Sequence, residues 1–366
     1  MKVRTRELWF YSAFALTVLR DFITNSIFFE ISNKILLLII VLYGFSMFYR
    51  RIDMKEIAIC IYGLLTYFIS KEVAFLFFAF VIVASRMIEK DKIILFWMKM
   101  QMGILALCIV LYPVFLMLGS PYAVSNVIDG RLRHYFFFSH PNNFGMSLAL
   151  CVMAYIYVHY KRISYRKVNL ILFLSAVFIY IFPNSRSAAL ILIIFMVFLF
   201  MMRNMLSLWK IGMRLIFPVS LIFSILFVWR ILRGGISSEN NFVSRFMGAS
   251  AMLNIYPLNM FGHHIDQIGK LVNFQDNWIR LWGDVAYIRL FIAFGIVGGI
   301  FFLKSLSFTL YDYIKREEYL RVNLLAIVCI YGILEWSAFQ IMISFPLIFI
   351  ADSFEQKNKR RPVLRM

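Results

Sequence analysis

The chain has 366 residues, 62% of them hydrophobic, and a formal net charge of +19. Soluble domains are close to half apolar, so an excess of this size has to face lipid, which excludes an ordinary soluble globular chain. The positive balance does not point to nucleic acid, because the basic residues fall in short clusters between apolar blocks, the pattern that orients membrane helices.

In chain order, apolar spans run near 8–29, 33–49, 55–70, 73–88, 93–118, 140–160, 168–183, 187–203, 213–230, 284–303, 322–335 and 337–351. Crossing a hydrocarbon core about 30 Å thick takes roughly 20 apolar residues. The spans predict an all-α, polytopic membrane protein of about twelve transmembrane helices, one integral membrane domain over 1–366. Glu335 and Trp336 divide the last stretch, which is too long for a single ordinary crossing. Cys60, Cys108, Cys151 and Cys329 all fall inside apolar blocks without metal-type spacing, so they read as small buried hydrophobes. Lys2, Arg4 and Arg6 lead into the first span without a small-residue cleavage site, so no cleavable signal peptide is expected.

Orientation follows from Lys and Arg. With a cytoplasmic N-terminus, the inner segments collect 25 basic residues, including Arg50, Arg51, Arg86, Lys161, Arg162 and the 357–365 tail. The outer segments collect 10: Lys34, Lys71, Arg131, Arg133, Arg186, Arg230, Arg233, Arg245, Lys270 and Arg280. Both termini are therefore expected in the cytoplasm, and 231–283 becomes one long extracytoplasmic loop. Phe242, Phe246, Ile255, Tyr256 and Trp278 give that loop enough apolar content to fold, and it reads as a small helical cap on the membrane surface. A structureless loop of this length would be unusual.

The polar groups concentrate on the outer side. Arg131, Arg133, His140, Asn142 and Asn143 surround Pro141, which suits the first turn of a helix. A helix start with arginines nearby is a ready anion site; the plainer reading is a polar helix start at the lipid headgroups. In Pro183-Asn-Ser-Arg186, the arginine either snorkels to lipid phosphates or grips a diphosphate with its planar fork. The long loop adds Arg245, His263 and His264, then Asp284 and Tyr287. No carboxylate–histidine spacing accompanies the histidine pair, so no metal is expected, and proton transfer is the more economical use of it. Charges also fall within the spans: Arg20, Asp21, Lys99, Arg289 and Glu335. Such residues are costly in lipid and are usually paired; Arg289 is the one nearest the outer cluster. No Gly-rich nucleotide loop and no His-Glu-x-x-His is present, so any chemistry has to start from an activated substrate, without a cofactor.

The order of these pieces resembles a family. An Arg-rich lead into Ser139-His-Pro-Asn-Asn-Phe-Gly145 is followed by Asn184-Ser-Arg-Ser-Ala188 and Ser244-Arg-Phe246. Pro257-Leu-Asn-Met-Phe-Gly262 and the run from Asp284 to Gly298 complete it. This sequence is similar to the oligosaccharide repeat-unit polymerases and O-antigen ligases, which act on undecaprenyl-diphosphate-linked sugars. One departure matters: members often carry His-Asn or Asp-Asn where this chain has Asp284-Val285. The base would then come from His263 or His264, ahead of His140, or from Asp284 itself.

The resemblance implies a GT-C-like membrane glycosyltransferase that polymerises lipid-diphosphate oligosaccharides into a surface polysaccharide. Transfer would be inverting and metal-independent, at the outer face of a bacterial cytoplasmic membrane. Arg131, Arg133, His140, Asn142, Asn143, Arg186, Arg245, Tyr287 and Arg289 become the expected substrate contacts. Expected partners are the lipid-linked oligosaccharide, membrane lipid, and flippase and chain-length regulator proteins, but no nucleic acid. Two alternatives stand beside this: ligase-type transfer to another acceptor, and a lipid-linked oligosaccharide flippase. A flippase should line a central cavity with charges from both halves and lack a long one-sided loop.

Overall fold

The computed structural model describes residues 5–26, 35–48, 52–120, 125–128, 131–234, 241–275 and 277–354, without the side chains of 126–128, 131, 241 and 277. Lys2, Arg4, Lys34, Arg50, Arg51 and the basic tail of 357–365 lie outside the described residues. The fold is 76% helical. Along the chain run α1 (Thr5–Thr24), α2 (Leu36–Phe48), α3 (Met54–Ser70), α4 (Val73–Ser85) and α5 (Lys90–Met117). A hairpin follows, β1 (Ser125–Ile128) with β2 (Arg131–His134), then α6 (Pro141–His159), α7 (Tyr165–Ile181), α8 (Arg186–Asn204) and α9 (Leu206–Leu232). The long loop holds α10 (Asn241–Ile255) and the hairpin β3 (Leu271–Phe274) with β4 (Asn277–Arg280), before α11 (Ala286–Lys315) and α12 (Tyr319–Tyr331). Two 3-10 stretches follow, Trp336–Phe339 and Phe345–Ile350, the second running into a short helical turn over 351–354.

The first eleven expected spans meet α-helical backbone, but among the described residues four helices, α5, α8, α9 and α11, are long and apolar enough to cross a membrane by themselves. At 1.5 Å per residue, the 13 residues of α2, α4 or α12 reach about 20 Å, short of the core thickness. Burial separates the two kinds. On α9, Val219, Ile222, Ile225, Leu226 and Trp229 are exposed, as a lipid-facing stripe would be. On α4, every residue from Ala74 to Ser85 is buried, which is the signature of a helix enclosed by protein. The last expected span, 337–351, is 3-10 and turn backbone. The long loop, expected to be a helical cap, is not wholly helical: it holds one helix and a β-hairpin.

The chain divides into two compact units, Met1–Arg51 with Met87–Asn204, and Ile52–Arg86 with Met205–Met366. In the first, α6 packs against α5, α7 and α8, and Phe136, Phe138 and Phe144 form an aromatic core near the β1–β2 hairpin. In the second, α11 packs on α9, α12, α10 and α3. α11 is broken at Gly295, whose φ of 73° is left-handed. The break is satisfied from outside the helix. His263 N–H donates to the Ile292 carbonyl (2.7 Å), Ile296 N–H donates to the Asn259 carbonyl (2.8 Å), and Tyr62 Oη accepts from Gly298 N–H (3.0 Å). Irregular backbone in an apolar helix is tolerated where protein groups replace the lost partners. Glycine is required on both sides of this contact, since a Cβ at Gly295 would lie 2.2 Å from the Met260 oxygen and one at Gly262 2.3 Å from the Ala293 oxygen.

Candidate functional site

The first unit builds its cluster on two helix starts. Pro141 occupies the first turn of α6, and His140 caps it, its Nδ1 accepting Asn142 N–H at 3.2 Å. α8 starts at Arg186, directly after Asn184 in left-handed backbone and the fully buried Ser185. The two starts lie close because Gly145 has no side chain: a Cβ there would meet Ser185 Oγ at 2.8 Å. Arg133, on β2, ties them together. Its Nη2 donates to Asn142 Oδ1 (3.1 Å) and to the Asn184 carbonyl (3.0 Å). Arg186 is exposed at the first position of α8. The first-turn N–H groups of a helix are unsatisfied donors with partial positive charge, so the arrangement gathers two such starts and two guanidiniums.

Around this core, Asn143 Nδ2 donates to Asn25 Oδ1 (3.2 Å), and Ser139 donates to the Asn25 carbonyl through both N–H (2.7 Å) and Oγ (2.9 Å). Asn25 Nδ2 in turn donates to Asp21 Oδ1 (3.1 Å). His134 meets Tyr112 Oη through Nδ1 (3.3 Å), and burial lowers the His134 pKa, which keeps the ring neutral. Arg131 is paired with Ile128 through its backbone; its side chain lies outside the described residues.

The second unit holds a separate charge cluster. Arg245, on α10, pairs with Glu335 (2.9 Å) and Asp284 (3.6 Å) and also donates to the Leu334 carbonyl. Arg289 pairs with Glu72 (3.2 Å) and lies 4.8 Å over the Trp336 ring. Asp284 has its pKa pushed up to about 6, by burial first and then by the Glu335 carboxylate, against the pull of Arg245 and Arg289. Tyr287, expected to contact substrate, is fully buried against Phe339 and donates its hydroxyl to the Cys329 carbonyl (2.9 Å).

The adjacent histidines turn apart. His263 Nε2 faces the Pro257 carbonyl and Asn259 Nδ2. His264, exposed, points Nδ1 at the Ser70 carbonyl, 3.2 Å away. A ring nitrogen facing a carbonyl carries the proton, so Nε2 of His264 keeps the lone pair. Among the described residues, no three His, Cys, Asp or Glu side chains gather as a metal site.

The sequence reading missed Asn25, Glu72 and Trp336 as members of these clusters. It placed Asn184 in the Arg186 turn but not as a partner of Arg133, because Asn184 enters through its carbonyl, a group every residue owns. Asn25 carried a signal, since it falls one helical turn after Asp21. The fold and these clusters define a helical protein with helices long and apolar enough to cross a membrane and with polar groups gathered at helix starts and loops. The chain matches no protein-family model, no curated protein and no solved structure.

Proposed function

We propose that this chain is a membrane glycosyltransferase that polymerises undecaprenyl-diphosphate-linked oligosaccharides at the outer face of a bacterial cytoplasmic membrane. The observation that carries the reading is the Arg133 bridge between the starts of α6 and α8, with Arg186 exposed beside it. Paired helix starts and arginines suit a diphosphate, whose charge grows as it leaves. The bond from the anomeric carbon to the diphosphate oxygen breaks, and an acceptor hydroxyl oxygen bonds to that carbon from the opposite face. The hydroxyl proton passes to a base, and the lipid diphosphate departs with the bonding electrons. Because the donor is already activated, the step needs no nucleotide.

The candidates for the base come from the long loop and from the residues just before α11. His264 is preferred, because its Nδ1 contact with Ser70 sets the tautomer with Nε2 as acceptor. Asp284, with a pKa of about 6, is the alternative. A GT-C-like arrangement of about twelve crossings with cytoplasmic termini belongs to the same proposal. Its support is the bias of 25 inner to 10 outer basic residues.

The test is a purified full-length chain given lipid-diphosphate oligosaccharide and scored for a ladder of product lengths. Arg186→Lys keeps the charge but loses the planar fork, and a fall of about tenfold or more is expected. Normal ladders from Arg186→Ala would leave that residue a lipid contact and remove the main support for the proposal. His264→Ala should retain donor binding and lose chain growth, with His263→Ala the milder of the two.

A further inference from the structure

The β3–β4 hairpin has an outward face of unexpected composition. Its register pairs Leu271 with Arg280 and Asn273 with Trp278, so these four side chains share one face. All four are exposed, Trp278 at 71% and Leu271 at 59%. Val272, Phe274 and Ile279 point the other way and are buried or half-buried. The outward face of a half-buried hairpin is ordinarily polar. Here it presents a large aromatic and a leucine, with Arg280 on the same face and exposed Lys270 next in the chain.

The hairpin's position relative to the membrane can be read from α9. Gln275, at the hairpin turn, donates from Nε2 to the carbonyls of Ile231 and Leu232 (both 3.1 Å), the last residues of α9. α9 has 27 residues, about 40 Å of helix. That exceeds the hydrocarbon core by roughly 10 Å, so its end stands at the headgroup level. Other groups at that end fit the same level. Trp229 is exposed, Arg233 lies 3.9 Å over its ring, and Arg230 is exposed beside them. Tryptophan and basic side chains are the residues that settle at the headgroup boundary.

We propose that the outward face of the β3–β4 hairpin is a membrane-interface contact, with Trp278 and Leu271 set among the lipid glycerol groups and Lys270 and Arg280 on anionic headgroups. The occupant is lipid rather than protein for two reasons. Gln275 joins the hairpin to the end of α9, a helix with exposed apolar side chains, and the cations of the face match an anionic surface. Asp266, a carboxylate close enough to act on Lys270, is engaged by the Tyr256 hydroxyl. The contact would hold the outer loop down on the bilayer, whatever reaction the protein performs.

The experiment uses the full-length chain in nanodiscs of phosphatidylcholine, with or without phosphatidylglycerol, carrying lipids brominated near the glycerol end of the acyl chain. The Trp278 contribution is the difference between the spectrum of the native chain and that of Trp278→Phe. A blue-shifted component, quenched by brominated lipid and shielded from acrylamide, is the expected result. Phosphatidylglycerol should deepen the quenching, and Lys270→Gln with Arg280→Gln should abolish that dependence. A component that emits as water-exposed tryptophan overturns the proposal. So does one shielded from acrylamide but untouched by brominated lipid, which would mark a second copy or a bound glycan on the face. Quenching that ignores phosphatidylglycerol in the native chain overturns the headgroup contact.

Discussion

Arg133 donates to two neutral oxygens, while Arg245 faces two carboxylates. Asp284 and Glu335 repel each other and share Arg245, so the charge state of Asp284 is tied to the stability of the loop. The sign follows from the shift. Asp284 titrates near 6 in the fold against an ordinary value of 3.8, so the fold favours its neutral form. The stability it contributes is greatest below about pH 4 and is lost as pH rises toward about 6. The melting temperature of the native chain, relative to that of Asp284→Asn, should therefore fall across this window and level off above it. Parallel melting profiles for the two proteins would refute the assignment. Arg245→Gln should cost roughly 3 kcal/mol above pH 6, because it removes the cation that Glu335 and Asp284 share.

At the scale of elements, the break in α11 makes the clearest prediction. Tyr62 places its hydroxyl 2.8 Å from the Met260 and Phe294 carbonyls and accepts Gly298 N–H, so one atom links α3, the long loop and both halves of α11. Tyr62→Phe should cost about 1–3 kcal/mol, since the deleted group leaves backbone polar atoms without a partner. Gly295→Ala should cost more, because its φ of 73° and the 2.2 Å approach of the Met260 oxygen both exclude a Cβ. Gly212→Ala, on α9, meets nothing within 4 Å and should be neutral or slightly stabilising. Thermal unfolding in detergent compares the three. Little of this was legible beforehand. Phe294-Gly-Ile-Val-Gly reads as continuous apolar helix, and the groups that repair the break come from Asn259 and Tyr62, far away in sequence. The hairpins were hidden for another reason: four-residue strands are too short to show alternation against loop composition. The start of α6 was legible because Pro141 and His140 act locally.

For the whole molecule, charge and hydropathy were legible where geometry was not. The span edges near 140–160 and 187–203 fall within a residue or two of α6 and α8, because Pro141 and Arg186 mark them. The count of crossings was less legible, since composition alone does not distinguish α4, sealed in protein, from α9, exposed along one side. Some basic residues in the orientation argument also have structural partners. Arg86 is buried between Asp53 (2.9 Å) and Glu56 (2.7 Å), so its position follows partly from that ion pair. The bias survives without it, because the 161–167 segment alone holds four cations, Lys161, Arg162, Arg166 and Lys167. The resulting orientation is directly measurable. Ser164 is exposed just before α7, and Asn254 is exposed on α10 in the long loop. A membrane-impermeant thiol reagent added to intact cells should label Asn254→Cys and spare Ser164→Cys, with Cys60, the one native thiol not fully buried, replaced by alanine. Permeabilised cells should expose both. Labelling of Ser164→Cys but not Asn254→Cys in intact cells would invert the topology and place α10, the β3–β4 hairpin and both histidines of the loop in the cytoplasm, where the proposed outer-face chemistry has no place.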